Sequence, residues 1–529
     1  MSVFTMKGLL LCHGSRRQIN SSLGLVRVGW QYRTPRSAQH QYQRLASTGS
    51  GSTSGDTSTS KSEDFPASSS SSSPSSSGPT PNPSQKSSTR PSDLPPDWDE
   101  NPNYNVQTFK DLPSANFGVN QHIVINDEFK EALRQILWKF RAPIRYAFAY
   151  GSGVFPQTAS SSSSHSNLHP NPSRAISTVQ KGNGKMIDFI FGVSYTQHWH
   201  SMNLQQHRDH YSAVGSLGSA FVSRIQDKWG AGVYFNPYVT VNGTLIKYGV
   251  VNLDTLCHDL STWDTLYLAG RLQKPVKILR DDPRVRLANQ VNLISAVRTA
   301  LLLLPQKFNE KDLYNTIAGI SYLGDPRMSL GAENLNKVSN IVKHQLPNFR
   351  RLYAPLIENL PNVSFQDSRC SSPAWVDDPD TNATLVQDMD PMKRGNMVRR
   401  LPKNFREKLY FQYQSKYQIP QLEFNKMMDQ ANDEDPSRIK RKQGGPFEQR
   451  IAGDNQVLLN KEVSAAITKI IKWPSWSQST KGLVTSGFRN AWRYSMEKWG
   501  KYREGQKRGA QKLSVSDSGK AQDQDEKGS

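Results

Sequence analysis

Apolar residues change their spacing twice between positions 106 and 193, and each change marks a predicted element. Apolar patterning begins near Val106 and predicts a helix over 129–140, which Pro143 closes. A short apolar run over 144–150 predicts a strand, which ends abruptly at Gly151-Ser152-Gly153. A second apolar run, 186–193, predicts the strand that follows. The first part of the chain therefore alternates helix and strand.

A hairpin is predicted further along, where runs rich in β-branched and aromatic residues cover 233–241 and 244–253. Asn242-Gly243 joins them, and this pair favours a tight hairpin turn because both residues tolerate positive φ. Strands mixed with helices indicate an α+β domain. Three more elements complete it, namely helices over 197–211 and 214–229 and a strand over 271–279.

The pattern becomes mostly helical after residue 280. Helices are predicted over 284–304, 310–320 and 334–360, the last with a break near Pro347. Residues 405–417 and 422–430 have helical patterns within a stretch that otherwise has no clear period. We interpret this part as a second, mostly helical domain.

Composition divides the chain further. The first 46 residues contain six arginines and no acidic residue, which is typical of a mitochondrial transit peptide. A Ser- and Pro-rich stretch follows and predicts a disordered linker. The predicted division is 1–46 transit peptide, 47–96 linker, 97–280 first domain with a low-complexity insertion at 158–184, 281–460 helical domain, 461–513 basic amphipathic segment and 514–529 disordered tail.

Charge and cysteine content narrow the class of protein. The net charge of +21 favours anionic partners, which include nucleic acid, free nucleotides and acidic lipid. Three cysteines provide neither a disulfide framework nor a thiolate metal site. No run of about 18 apolar residues occurs, so no transmembrane helix is predicted.

The strand that ends at Gly151-Ser152 can present backbone N–H groups and a hydroxyl to the oxygens of a polyphosphate. Asp188 lies in an otherwise apolar strand, where an unpaired carboxylate is costly, so it is expected to bind a cation such as magnesium. Two alternatives remain for Asp188. It can lie on the solvated face of an edge strand, or it can pair with a lysine such as Lys185.

Six segments follow one another in order along the chain, namely Tyr150-Gly151-Ser152-Gly153-Val154-Phe155, Met186-Ile187-Asp188-Phe189, His198-Trp199-His200-Ser201, Gly230-Ala231-Gly232-Val233-Tyr234, Ile246-Lys247-Tyr248-Gly249-Val250 and Ala269-Gly270-Arg271-Leu272-Gln273-Lys274-Pro275-Val276. Together with Gln478-Ser479-Thr480-Lys481-Gly482, these segments resemble the mitochondrial phosphatidate cytidylyltransferase family, also called the translocator assembly and maintenance family. The resemblance is strong over residues 120–360.

The resemblance implies a DNA-polymerase-β-like nucleotidyltransferase domain followed by a winged-helix-like domain. It also implies conversion of CTP and phosphatidate to CDP-diacylglycerol and pyrophosphate, with magnesium, at the matrix face of the mitochondrial inner membrane. The product would supply cardiolipin synthesis. The resemblance thus selects lipid and nucleotide among the possible anionic partners, and no nucleic acid is expected.

Roles for individual residues follow from the same resemblance. Gly151, Ser152 and Gly153 are expected to hold the triphosphate, with Ser152 and Asp188 as catalytic residues and Asp188 as the magnesium ligand. General nucleotidyltransferases have a second acid two residues later, but Ile190 stands there. The second metal ligand is therefore absent or comes from elsewhere; by its position at the end of the hairpin's second strand, rather than by the resemblance, we expect Asp254 to be that ligand. The resemblance also favours phosphate contacts from four further cations, with solvation of a strand end as the alternative; these are Lys247, Arg271, Lys274 and Lys277.

Four histidines lie close together in sequence, but their spacing matches no standard zinc signature. We interpret them as surface residues, with contacts from His198 and His200 to the nucleotide as the alternative. The other two are His207 and His210.

The C-terminal segment predicts a basic amphipathic helix. Between Lys461 and Lys512 there are 12 Lys or Arg residues and three Glu. Such a helix favours an anionic membrane interface, although it can instead dock on the protein. Trp473-Pro474-Ser475-Trp476 is expected to be a hinge before it. The apolar face comprises Val484, Phe488, Ala491, Trp492, Ser495, Met496 and Trp499, and Lys481 is assigned to the opposite, basic face.

Two other functions remain open. The same fold can add nucleotides to an RNA 3′ end, and its positive charge would then bind the RNA backbone. The missing acid at Ile190 and the lack of an aromatic-basic RNA-binding module count against this. A tether without catalytic activity is the second alternative.

Overall fold

The computed structural model describes residues 106–156, 169–181, 184–325, 336–431 and 442–486. Its strands are β1 Tyr146–Tyr150, β2 Ile187–Val193, β3 Val233–Val241, β4 Thr244–Asn252, β5 Lys277–Arg280, β6 Lys307–Asn309, β7 Val363–Phe365 and β8 Thr384–Gln387. Its α-helices are α1 Asp127–Trp138, α2 Arg174–Val179, α3 Thr196–Gln206, α4 Ser219–Lys228, α5 Leu253–Thr262, α6 Ala269–Leu272, α7 Pro283–Leu303, α8 Glu310–Ile320, α9 Lys337–Glu358, α10 Pro391–Arg399, α11 Lys403–Tyr417, α12 Gln421–Gln430, α13 Pro446–Ala452 and α14 Gln456–Ser486.

The first five strands form a mixed sheet in the order β3-β4-β2-β1-β5. β2 and β4 run parallel, and the other pairs are antiparallel. The predicted hairpin is confirmed, because Val241 pairs with Thr244 and both Asn242 and Gly243 have positive φ, 49° and 69°. The α+β class predicted from the sequence is also confirmed.

Alternate residues of β2 face two different cores. Phe189 and Phe191 pack with Phe129 of α1 and Trp199 of α3 on one face. Ile190 belongs to the other core, which the helices from α5 onward share. Because side chains alternate along a strand, Asp188 lies on the same face as Ile190. The sheet is therefore covered by helices on both faces, and Asp188 points toward the larger helical part.

The strand predicted over 271–279 is wrong in its first half. The chain there forms the short helix α6, and β5 begins only at Lys277. The carboxylate of Asp259 accepts hydrogen bonds from the backbone N–H groups of Leu268 and Ala269, each 3.0 Å long, at the start of α6. These bonds satisfy N–H groups that a helix start leaves without partners, so they stabilise a helical turn over an extended strand.

The insertion predicted at 158–184 is folded in its second half. Residues 174–179 form α2, and Ile176 is buried against the sheet. His169 and Gln180 are buried as well. Residues 158–168 lie outside the described part. The predicted surface insertion therefore contains packed residues in its second half.

The second part of the chain combines helices with a small antiparallel sheet in the order β6-β8-β7. α9 contains a non-helical residue, Gln345, two positions before Pro347, so the predicted break is confirmed. Arg350 and Glu310 form a fully buried ion pair with a nitrogen-oxygen distance of 2.6 Å. Arg350 also donates to the carbonyl oxygens of Trp375 and Thr381, at 2.6 and 2.7 Å. This arginine joins α8, α9 and the loop before β8.

α14 is continuous through Pro474, so the predicted hinge is wrong. A proline inside a helix removes one backbone hydrogen bond, but packing on both sides offsets that loss. Ile470 and Ile471 are buried before the proline. After it, the Gln478 amide accepts a hydrogen bond from the N–H of Ala231 (3.1 Å) and donates to the carbonyl of Val233 (3.0 Å).

Lys481 does not lie on a solvated basic face, which corrects the prediction. Its side chain is fully buried, and its Nζ donates to the carbonyl oxygens of Gln226 and Trp229 at the end of α4. Burial lowers the pKa of Lys481 to about 7. Of the predicted apolar face, only Val484 lies within the described residues, where it is half exposed. Within the described ranges, no helix is both long and apolar enough to cross a bilayer.

Replacing Gln478 by alanine should lower the free energy of unfolding by about 1–3 kcal/mol, because it leaves a buried N–H and a buried carbonyl without partners. Urea unfolding followed by tryptophan fluorescence measures the change. Lys472→Ala, an exposed position on the same helix, is the control and should change stability by less than about 0.5 kcal/mol. Equal stabilities for the two variants would contradict the anchoring role of Gln478.

Candidate active site

Three side chains lie side by side across three strands of the mixed sheet. Tyr150 of β1 is paired with Asp188 of β2, and Asp188 is paired in turn with Lys247 of β4. Because paired residues project on the same face, the phenol, the carboxylate and the ammonium are neighbours. They face the larger helical core rather than the face that α1 and α3 cover.

Asp188 lies on a central strand, so the edge-strand alternative is wrong. Its ionic partner is Lys247, whose Nζ is 3.8 Å from the carboxylate. The side chains are 27% and 16% exposed, so both charges can be reached from solvent. Lys247 also lies 4.6 Å from the centre of the Phe235 ring. Burial, and secondarily the charge of Asp188, raise the pKa of Tyr150, which keeps that phenol protonated.

The turn after β1 presents backbone donors next to this carboxylate. The N–H groups of Val154 and Phe155 donate to the carbonyl of Gly151, at 3.1 and 2.9 Å. Within the described ranges, the N–H groups of Gly151, Ser152 and Gly153 form no hydrogen bond. Gly151 has a φ of +80°, and a Cβ there would be 3.4 Å from Asp188 Oδ2. Three adjacent N–H donors in such a turn are suited to anionic oxygens.

Gly153 fixes the distance between the turn and β2. A Cβ at this position would be 2.6 Å from the carbonyl oxygen of Met186, closer than van der Waals contact permits. Gln180 strengthens the same contact, since its amide donates to the carbonyl oxygens of Gly153 and Lys185, each at 2.9 Å. The N–H of Lys185 donates back to the Gln180 oxygen at 2.6 Å. The turn is therefore held against the strand that carries Asp188.

His169 extends this connection to β4. Its Nδ1 accepts a hydrogen bond from the N–H of Leu245 (2.9 Å), so Nε2 carries the proton and donates to Gln180 (3.1 Å). Burial lowers the pKa of His169, which favours this neutral form. Sequence reasoning missed both residues because they lie in a stretch with the composition of a loop. No local motif in that stretch indicates their role.

Arg271 lies beside the phenol of Tyr150. Its Nε is 3.4 Å from the Tyr150 hydroxyl, and its guanidinium is 3.9 Å from the centre of the Tyr267 ring. Asp259 holds the segment that carries Tyr267 and Arg271. Its Oδ1 accepts a hydrogen bond from the N–H of Thr265 (2.8 Å), and its Oδ2 accepts the two bonds from the start of α6 that are described above. Of the cations that were predicted to bind phosphate, Lys247 and Arg271 therefore lie on the same face of the sheet as Asp188.

Lys277 and Asp254 are not brought to this face. Lys277 pairs with Ala149, whose side chain belongs to the opposite core, and its Nζ donates to the carbonyl of Ile123 at 2.7 Å. Asp254 lies beyond the far end of β4, roughly 20 Å along the strand from Lys247. It is 80% exposed and pairs with Arg284 at 3.0 Å. Asp254 therefore does not share a metal ion with Asp188.

The histidines do not contact the Asp188 face either. His200 is buried, not at the surface as predicted, between the Tyr211 hydroxyl and Gln226, each at 2.8 Å, and burial lowers its pKa to about 4. His207, Asp209 and His210 have ligand atoms within 4.8 Å of one another. However, the two imidazole rings of that group are stacked with an angle of 4°, so their in-plane lone pairs lie in two separate parallel planes and do not converge on one ion.

The described residues thus combine a turn with three adjacent N–H donors, one carboxylate and neighbouring cations, and comparison with known proteins identifies the family. Residues 133–501 match the family model described as phosphatidate cytidylyltransferase, mitochondrial. The chain belongs to this family.

Relatives with the same name support this assignment. The chain is 46% identical to the Schizosaccharomyces pombe protein over 249 residues and 44% identical to the Saccharomyces cerevisiae protein over 256 residues. These matches cover 47% and 48% of this chain, but only 58% and 61% of the two yeast relatives. The match to the Xenopus laevis protein is 36% identical and covers 69% of this chain and 92% of the relative.

If the turn holds a nucleoside triphosphate, replacing Gly153 by alanine should weaken its binding by roughly tenfold, because the added methyl group pushes the turn away from β2 and moves its N–H donors. Isothermal titration calorimetry with CTP and magnesium measures the dissociation constant. Gly319→Ala is the control, since a Cβ there meets nothing within 4 Å. An unchanged affinity in Gly153→Ala would contradict the role of this turn in nucleotide binding.

Proposed function

We propose that the protein is a phosphatidate cytidylyltransferase, which converts CTP and phosphatidate to CDP-diacylglycerol and pyrophosphate. One observation carries the proposal, namely that Asp188 lies beside both Lys247 and the donor-rich turn at Gly151 in a chain of this family. The relatives are named mitochondrial, and with the transit-peptide composition this favours a mitochondrial location. The product would there supply cardiolipin synthesis.

The residues around Asp188 fit a magnesium ion that shares its ligands with substrate. Magnesium prefers one or two carboxylates together with phosphate oxygens and water. Asp188 offers one accessible carboxylate, whereas Ile190, on the same face, is fully buried in the core. Magnesium held by Asp188 and the nucleotide phosphates would neutralise charge on those phosphates. A second carboxylate at position 190 would point into apolar packing, so its absence agrees with the fold.

The chain's own residues would orient the two phosphates for transfer. The N–H groups of Gly151, Ser152 and Gly153 would hold oxygens of the triphosphate, and Lys247 and Arg271 would balance its charge. An oxygen of the lipid phosphate would then bond to the α-phosphorus of CTP. The bond from that phosphorus to the bridging oxygen would break, and pyrophosphate would leave with that oxygen. Positioning and electrostatics would provide most of the rate enhancement.

The two parts of the fold would correspond to the domains that the resemblance implies. A mixed sheet with a Gly-Ser turn after its first strand and an aspartate on the next supports a DNA-polymerase-β-like nucleotidyltransferase domain. A three-stranded antiparallel sheet beside α8 and α9 supports a winged-helix-like second domain.

α14 would bring the enzyme to its lipid substrate. Trp473 and Trp476 are 70% and 53% exposed, and their rings stack with centres 6.1 Å apart. At 100° per residue, the exposed Leu483 and Val484 lie on the same side of the helix. Exposed tryptophans on a helix favour the interface of a bilayer. We therefore propose peripheral binding to the matrix side of the inner membrane, with the rest of the predicted basic segment, 487–513, following α14 in the chain.

Incubation of the purified protein with CTP, magnesium and phosphatidate-containing liposomes should yield equal amounts of CDP-diacylglycerol and pyrophosphate. Asp188→Asn should lower kcat by roughly a hundredfold or more without changing the melting temperature, because it removes the metal-binding charge and keeps the side-chain shape. Asp254→Asn is the matched control and should keep activity within about twofold.

Two further experiments test the alternative functions, RNA 3′-end extension and a tether without catalytic activity. Extension of a labelled RNA 3′ end without any lipid product would replace phosphatidate by RNA as the acceptor. Full function of Asp188→Ala in cells that lack the wild-type protein would instead support a tether.

The double substitution of Trp473 and Trp476 by alanine should reduce binding to liposomes that contain cardiolipin by about tenfold, since it removes the exposed aromatic surface of α14. Co-sedimentation measures the bound fraction. Trp138→Ala on α1, where the tryptophan is 71% exposed, controls for loss of an aromatic residue elsewhere. Equal binding of the double variant and this control would disprove the membrane role of α14.

A further inference from the structure

A cluster of cations surrounds Tyr322, in the chain that follows α8. Lys274 Nζ lies 5.1 Å from the centre of the Tyr322 ring, and Lys337 Nζ, at the start of α9, lies 5.4 Å from the same ring centre. Arg271, three residues before Lys274, is close enough for its positive charge to act on the Lys274 ammonium. We call Arg271, Lys274 and Lys337 the Tyr322 cation cluster. The first part of the chain contributes two members and the second part contributes one.

The ammonium of Lys274 has one more N–H donor than it has acceptors among the described residues. Its ammonium donates to the carbonyl of Gly270 and to the hydroxyl of Ser321, the latter at 2.9 Å. An ammonium has three N–H donors, and among the residues that the structure describes nothing accepts from the third. Nor does any described carboxylate lie within ion-pair distance of this lysine.

The electrostatics of the cluster favour an anion. Burial, followed by the positive charges of Arg271 and Lys337, lowers the pKa of Lys274 to about 7. Like charges in a partly desolvated site repel one another, and a negatively charged ligand turns that repulsion into attraction. Phosphate oxygens are the acceptors that best match a set of ammonium and guanidinium donors.

The cluster adjoins the candidate active site. Arg271 links the two, because its Nε is 3.4 Å from the hydroxyl of Tyr150, which is paired with Asp188. An anion held by the cluster would therefore lie next to the residues that hold the nucleotide.

We propose that Lys337 completes a phosphate-binding subsite with Arg271 and Lys274, in which Tyr322 lines the wall and a substrate phosphate is the ligand. The proposal rests on the proposed function and adds a residue from the second part of the chain. The shared chemistry is a phosphate dianion, which either the lipid phosphate or the polyphosphate of the nucleotide provides. No sequence motif surrounds Lys337, so only the fold reveals its proximity to Lys274.

The test compares Lys337→Gln with Lys343→Gln, an exposed lysine on the same helix. Initial rates are measured while CTP and phosphatidate are varied in turn. Lys337→Gln should raise the KM of one substrate by about tenfold and keep kcat within about twofold, as expected for loss of one charge-assisted contact. The substrate whose KM rises is the source of the phosphate. Lys343→Gln should leave both KM values unchanged.

Binding without turnover separates this proposal from the proposed function. Calorimetry with inorganic pyrophosphate and with soluble dihexanoyl phosphatidate gives dissociation constants for the wild type and both variants. The affinity for at least one probe should fall about tenfold in Lys337→Gln alone. Such a loss in a protein without cytidylyltransferase activity would support the subsite and reject the proposed function. No binding of either probe to the wild type, or equal affinities in wild type and Lys337→Gln, would overturn the subsite.

Discussion

The register of β2 between β1 and β4 is the constraint on which the candidate active site depends. Phe189 and Phe191 must face one core and Ile190 the other, so a slip by one residue would force the aromatic rings into the core that is shaped for Ile190. That same alternation places Asp188 between Tyr150 and Lys247. The hydrophobic effect thus determines where the carboxylate points, although the carboxylate contributes little to the apolar packing itself.

Local sequence signals predicted the features that depend on a few adjacent residues. The turn at Gly151, the hairpin at Asn242-Gly243 and the break in α9 all follow from backbone preferences of glycine, asparagine and proline. Asp188 was recognisable because a carboxylate in an apolar strand needs a partner. These predictions required no knowledge of the tertiary fold.

Predictions that required the tertiary fold were less accurate. Lys277 was grouped with Arg271 by its spacing, but a change from helix to strand between them turns Lys277 to the opposite face. Asp254 follows a strand that runs parallel to β2, which carries it away from Asp188. Pro474 lies within a helix whose packing outweighs its lost hydrogen bond. In each of these cases a long-range contact overrode a local preference.

α14 has a mechanical consequence beyond its role in packing. Its 31 residues form a rod about 45 Å long, and Gln478 and Lys481 attach this rod to the sheet at the start of β3 and the end of α4. The two exposed tryptophans are therefore fixed in direction relative to Asp188. A flat surface that binds those rings therefore always meets the same side of the protein. Binding through α14 would thus also set the orientation of Asp188 relative to that surface.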